Sequence, residues 1–313
     1  MSDPASLYSW HTDPPRRVPD AGPVLLHVLT GFVDAGSAGS LARDHLLATM
    51  PHRLVAEFDV DLLLDYRSRR PPMVFAEDHW ESYEKPHLSL HEVTDPAGQP
   101  FLLLEGAEPD VAWERFLTAV QQVVEALRVR LTIGIHGIPM GVPHTRPTSL
   151  TAHATRKELV AGRDAWIGRV HVPGSLTNLI ELRLGQAGHD AMGFAVHVPH
   201  YLATAEYPEA AAALLENVAA TTELTLPTAE LRGAAERTRR ELDEQVASSR
   251  EVAEVVHALE QQYDAYVAAR GEGPGDEQEL LAGRSGFPSA DELAAELERF
   301  LADQHKGGDP REE

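Results

Sequence analysis

Cysteine is missing from all 313 residues, which excludes disulfides and thiolate metal sites. Lysine is scarce: Lys85, Lys157 and Lys306 are the three copies, and every other basic residue is arginine. No stretch approaches the roughly 18 to 20 unbroken apolar residues of a membrane span. Positive charge is short overall, since 27 basic against 49 acidic residues leave a net charge of −22. A general nucleic-acid binder needs a basic face to meet phosphates, so that class is excluded. Several catalytic signatures are missing too. There is no Gly-x-x-x-x-Gly-Lys phosphate loop, no Gly-x-Ser-x-Gly nucleophile turn and no Gly-x-Gly-x-x-Gly. Residues 1–22 are rich in Asp, Pro and Arg and lack the charged-then-apolar layout of a signal peptide. The expectation is a cytoplasmic protein with no membrane contact.

What is present is an apolar content of 43%, enough for a sizeable core. The organising stretch runs from Pro23 to Met50. Val24 to Leu29 reads as a buried strand, and a glycine-spaced turn, Gly31 to Gly39, leads into helical spacing at Leu41, Ala42, His45 and Leu46. Such a turn gathers free backbone N–H groups and the positive end of a helix at one point.

The rest of the chain extends that unit. Arg53 to Phe58 alternates as a second strand, and the loop from Asp65 to Pro72 carries one acid and three arginines. Leu88 to Val93 and Phe101 to Glu105 read as a hairpin at the sheet edge, split by the turn Asp95-Pro96-Ala97-Gly98. Asp110 has the form of a cap for a helix over 111–127. Arg130 to His136 is a strand, ending in a Gly/Pro-rich loop from Gly137 to Pro147. Val170 to Pro173 and Ala191 to Val198 read as further strands, and Pro208 to Leu224 as an alanine-rich helix. The order predicts an α/β fold: a mostly parallel sheet with helices on both faces.

Composition changes at Pro227. From Leu231 to Tyr266 apolar residues recur at an average step of roughly 3.5, the heptad spacing, which predicts a long helix or a helical hairpin with a narrow apolar seam. Residues 271–288 read as a linker, and Ser289-Ala290-Asp291-Glu292 as a capping box before a short amphipathic helix; the tail from Asp303 is polar. Residues 229–313 hold 10 basic and 21 acidic residues, a net of −11, half the total. The division is therefore an α/β domain over 1–228 and a helical extension over 229–313.

Chemistry-bearing residues cluster in loops at strand ends, which line the ligand crevice of open α/β sheets. Ser37 and Ser40 read as helix-start residues. His197-x-x-His200 is a strand-end pair outside the helical metal-binding frame, so no metal is expected, and no cofactor either. Asp34, Asp65 and Glu105 are the loop carboxylates, and sequence spacing leaves open which of them meet.

Four stretches taken together resemble one family: Gly31-Phe32-Val33-Asp34-Ala35-Gly36, Asp65-Tyr66-Arg67-Ser68-Arg69-Arg70-Pro71, the segment Gly137 to Pro147 with Pro139-Met140-Gly141 and His144-Thr145-Arg146, and Pro199-His200-Tyr201-Leu202. As a set they are similar to the PAC2 family, relatives of the proteasome assembly chaperone, in its actinobacterial form. The resemblance covers roughly residues 20–270. It implies an α/β fold like that of nucleoside phosphorylases and peptidyl-tRNA hydrolases, with a helical C-terminal extension. It also implies self-association, preferably as a trimer, and a chaperone-like role with protein partners, proteasome subunits among them. It supplies no catalytic residues. Proteasome-docking relatives often end in a hydrophobic residue, Tyr and one more; Asp309 to Glu313 departs from that pattern. The leading expectation is a non-catalytic, self-associating, protein-binding chain. The alternative is an enzyme or binder of a nucleoside-like or small anionic ligand. It would use Asp34 as acid or orienting group, Arg67 and Arg70 as anion clamps and His144 or His200 as proton carrier, with Gly36, Gly39 and Asp65 in the same crevice.

Overall fold

The computed structural model describes residues 3–11, 22–163 and 169–272. Its first strand, β1 (Tyr8–Trp10), lies in the Asp-, Pro- and Arg-rich stretch 1–22. Next come β2 (Val24–Thr30), α1 (Ala38–Thr49), β3 (His52–Phe58), a two-stranded hairpin β4 (Met73–Ala76) and β5 (His79–Tyr83), β6 (Leu88–Thr94) and β7 (Pro100–Ala107). The second half runs α2 (Trp113–Ala126), β8 (Leu131–Met140), β9 (Leu150–Ala154), α3 (Leu176–Gln186), β10 (Ala191–Pro199), α4 (Pro208–Thr222), α5 (Ala229–Ser248) and α6 (Arg250–Glu272).

Eight strands form one sheet in the order β1-β3-β6-β7-β2-β8-β10-β9. The central four, β7, β2, β8 and β10, are parallel. Both flanks pair antiparallel, with β9 on one side and β6, β3 and β1 on the other. The α/β class and the helices on both faces are as the sequence predicted. Strand β2 is buried on both faces because α1 and α4 pack on one side, around Leu26 and Val28, and α2 and α3 on the other, around Leu25.

Several local expectations are corrected. The β6–β7 hairpin lies inside the sheet, because β1 and β3 pair outside it and β7 joins β2. Asp110 does not cap α2; the cap position is Ala112, in left-handed backbone, and Asp110 instead accepts a hydrogen bond from the Asp65 amide. Residues 137–140, expected as loop, continue β8 to Met140, since the parallel partner β10 runs alongside to Pro199 and supplies the ladder. Residues 170–173 form no strand; the antiparallel edge comes from β9. The heptad seam breaks at Ser249, whose extended backbone separates α5 from α6. Leu231 and Leu242 of α5 join the α1–α4 core, so the first helix of the extension packs on the body. The linker beyond Glu272, the capping box and the tail lie outside the described residues.

Candidate functional site

Three strand ends meet at one edge of the sheet. The turn after β2 crosses the end of β8, and Asp34 pins the two together. Its Oδ1 accepts the amides of Gly39 at 2.8 Å and Gly137 at 3.0 Å, and its Oδ2 accepts the Ser40 amide and hydroxyl, both at 2.9 Å. Four donors occupy the acceptor capacity of this carboxylate. Gly36 completes the joint: its amide donates to Ala203 and its carbonyl accepts from Tyr207. Its φ of +67° belongs to left-handed backbone, and a Cβ there would lie 2.8 Å from Tyr207 Cβ. Gly39 allows α1 to start against the Ile135 carbonyl, 3.0 Å from where its own Cβ would be.

The third strand end brings His200 and Tyr201. The Tyr201 hydroxyl accepts the His144 amide at 2.9 Å and lies 2.6 Å from His144 Nδ1. His144 Nε2 lies 3.5 Å from a carboxylate oxygen of Asp243 on α5. A neutral imidazole with its proton on Nε2 leaves a lone pair on Nδ1 to accept from Tyr201, while the buried Nε2 faces Asp243 with no hydrogen-bond partner among the described residues. Burial pushes the pKa of His144 down and that of Tyr201 up, so both stay neutral at pH 7. Burial also lowers His200, which hydrogen-bonds the Met140 backbone, while its buried Nδ1 has no partner among the described residues.

The loop after β8 then binds the appended helices. Thr145 donates to Glu260 at 2.6 Å, and Arg146 meets Glu260 at 3.2 Å and Asp264 at 2.8 and 2.7 Å. Met140 and Val142 pack with Tyr263 and Tyr266 of α6. Three of these partners, Asp243, Glu260 and Asp264, are more than 95 positions away in sequence, and the charge pattern of the extension gave no sign of which acids would be used.

Of the eight predicted crevice residues, Asp34, Gly36, Gly39, His144 and His200 come together at this edge. Asp65, Arg67 and Arg70 do not join them. Asp65 accepts the Arg67 amide and stays in its own exposed turn. The Arg67 and Arg70 side chains are exposed and make no ion pair among the described residues. It is Arg69 that reaches the sheet, pairing with Asp110 at 2.6 Å and donating to the Thr30 carbonyl at 3.2 Å. Among the described residues no group of side chains has the arrangement to hold a metal ion. None of their helices is long and apolar enough to cross a membrane.

A second feature stands away from this edge. The β4–β5 hairpin pairs only with itself, and Met73, Val74, Phe75, Trp80 and Tyr83 are all exposed, Phe75 by 56% and Trp80 by 63%. The Phe75 and Trp80 rings stack edge-to-face with centroids 5.1 Å apart. A contiguous exposed apolar surface of this kind marks an interaction site more often than chance.

Together these features define an α/β scaffold with locked strand-end loops, a helical appendage and a projecting apolar arm. The sequence model of the PAC2 family matches residues 28–246, and the chain belongs to the PAC2 family. It is 50% identical to a Mycobacterium tuberculosis protein of unknown function, covering 86% of this chain and 94% of that one with a TM-score of 0.81. A Mycobacterium tuberculosis proteasome-assembly chaperone homologue is 26% identical, covering 74% of this chain and 99% of that one with a TM-score of 0.69. An archaeal proteasome activator from Pyrococcus furiosus shares the fold at 15% identity, covering 76% of this chain and 97% of that one with a TM-score of 0.55. No curated protein matches this sequence.

Proposed function

We propose that this chain is a non-catalytic, self-associating scaffold that binds another protein in a chaperone-like manner, with proteasome subunits as the partner class. The observation that carries the reading is the β4–β5 hairpin. Five large apolar side chains are held in solvent on an arm that adds nothing to the core, an arrangement that is stable in water when a protein surface covers it. The partner class is supported by family membership and by the likeness to a proteasome-assembly chaperone homologue. The full acceptor shell of Asp34 agrees with a structural role for that carboxylate. On this reading residues 1–228 are the binding body and 229–313 an acidic extension, whose helix α6 meets the loop after β8 through Glu260 and Asp264. A trimer is the preferred assembly.

The test is sedimentation of the wild-type chain beside Phe75→Glu and Trp80→Glu. Three-chain particles for the wild type and monomers for both variants, with unchanged melting temperatures, support the proposal; a wild-type monomer overturns the self-association. A second reading, a small-ligand crevice at the strand ends lined by Asp34, Gly36, Gly39, His144 and His200, is favoured by the buried imidazoles of His144 and His200. It is checked by thermal shift with inorganic phosphate and with nucleosides, using Arg67→Ala/Arg70→Ala and His200→Gln as controls.

A further inference from the structure

The two faces of the central sheet differ in chemistry. Facing α1 and α4, β8 and β10 present Ile133, Ile135, Phe194 and Val196, and the buried carboxylate on that side, Glu105 of β7, is paired with His87 and His91. Facing α3, one row across four strands reads His27, Gly134, Gly193, His153, each pair in direct register. The two glycines leave bare backbone, and the flanking rings lean inward over it. A Cβ at Gly134 would lie 2.7 Å from His27 Cε1, and one at Gly193 would lie 2.3 Å from His153 Cε1. His136 stands one step further along the same face of β8. Thr177 of α3 packs over Gly134, its Cγ2 3.1 Å from that Cβ position.

These imidazoles have little to receive a proton's charge. His27 is 1% exposed, and the Nδ1 atoms of His27 and His136 are buried with no hydrogen-bond partner among the described residues. From α3, Glu181 is committed to His153 Nδ1 at 2.7 Å. From the turn after β2, Asp34 is engaged by its four donors. From the turn after β7, Glu108 accepts the Leu176 amide at the start of α3. β7 presents only Leu102 and Leu104 to this side, and His197 of β10 is bonded to Ser149 and Thr151. Burial, reinforced by the neighbouring imidazoles, holds His27 at about 3, and the partly buried His136 is lowered to about 4 against the pull of Asp34, compared with 6.5 for a free imidazole.

We propose that the α3 face of the sheet is an acid-operated release: protonation of the His27 and His136 rings expels α3, while the α1–α4 face stays packed. The sign follows from linkage. A group whose pKa is lowered by packing takes up its proton more readily once released, so opening is favoured as pH falls below 6.5. Between pH 7.5 and 5.5 the opening equilibrium should rise about tenfold per imidazole and about a hundredfold for both.

The experiment is native-state hydrogen exchange of the full chain at pH 7.5 and 5.5, corrected for intrinsic exchange rates. The expected result is loss of protection in Leu176–Gln186 at pH 5.5, with α1 and α4 still protected. His27→Gln and His136→Gln should each flatten that pH dependence by about tenfold. Equal protection of α3 at both pH values overturns the proposal, as does opening of α1 and α4 in step with α3. Both outcomes are read on the wild-type chain, so the decision stands even where a variant fails to fold.

Discussion

Arg146, in the turn after β8, holds Asp264 of α6 by two parallel hydrogen bonds, Nε at 2.8 Å and Nη2 at 2.7 Å. The fork-to-carboxylate geometry fixes orientation as well as contact. Because the pair spans 118 positions, it helps decide where α6 sits on the body. The Arg146→Ala variant is expected to loosen α6 without unfolding the sheet. Limited trypsin digestion should cleave within α6 sooner than in the wild type, and the difference should shrink in high salt, which already weakens the pair. Identical digestion patterns would show that apolar packing of Tyr263 and Tyr266 suffices.

Asp34 joins the turn after β2 to the end of β8. In Asp34→Ala the amides of Gly39, Ser40 and Gly137 lose their acceptor together. A loss of about 2–4 kcal/mol follows from unsatisfied, partly buried donors, and urea denaturation measures it. A change below 0.5 kcal/mol, the scale of an ordinary surface substitution, would mean that water replaces the carboxylate.

Gly36→Ala probes the same joint from the backbone. The substitution places a methyl group in left-handed backbone and 2.8 Å from Tyr207 Cβ, with Val198 Cγ1 at 3.1 Å. The strain and the close contact together should cost about 1–3 kcal/mol. The lowered thermal midpoint should come with disturbance of the Tyr207 ring, visible in near-ultraviolet circular dichroism.

Glu105 sets the acid limb of the stability curve. It is 3% exposed, and burial alone would raise its pKa, but hydrogen bonds from His87 at 3.0 Å and His91 at 3.2 Å override that and hold it at about 2. Its ionised form therefore stabilises the fold above pH 4.5, and the contribution is lost as pH falls from 4.5 towards 2. The amount at stake is at most about 3 kcal/mol. In Glu105→Gln the stability difference from wild type should narrow over that interval, as followed by denaturant midpoints at a series of pH values. A constant difference would place the effect in packing.

Much of the fold was legible in the chain. The run Val24 to Leu29 announced a strand buried on both faces, and the glycines after it announced the turn into α1. Gly31 to Gly39 and Gly137 to Pro147 belong at one edge because parallel strands put their carboxyl ends together, and Asp34 joins them there. The arginine loop was harder. Sequence offered three equivalent guanidiniums, and only the path of the turn brings Arg69, rather than Arg67 or Arg70, against Thr30 and Asp110. The β4–β5 hairpin escaped notice because both its strands face solvent, so no alternation of buried and exposed residues marks them.

Local sequence determined the central strands, the turn into α1 and the helical character of the extension, because hydrophobic period, glycine and proline act over a few residues. It also determined the acidity of the extension and the absence of thiol chemistry. Strand order, the burial of the β6–β7 hairpin and the choice of Asp243, Glu260 and Asp264 as partners for the β8 loop were decided by tertiary structure. So was the row of imidazoles over two glycines: His27, Gly134, Gly193 and His153 lie far apart along the chain, and only strand pairing aligns them. Contacts of that kind depend on which strands become neighbours, and no short window of sequence carries that information.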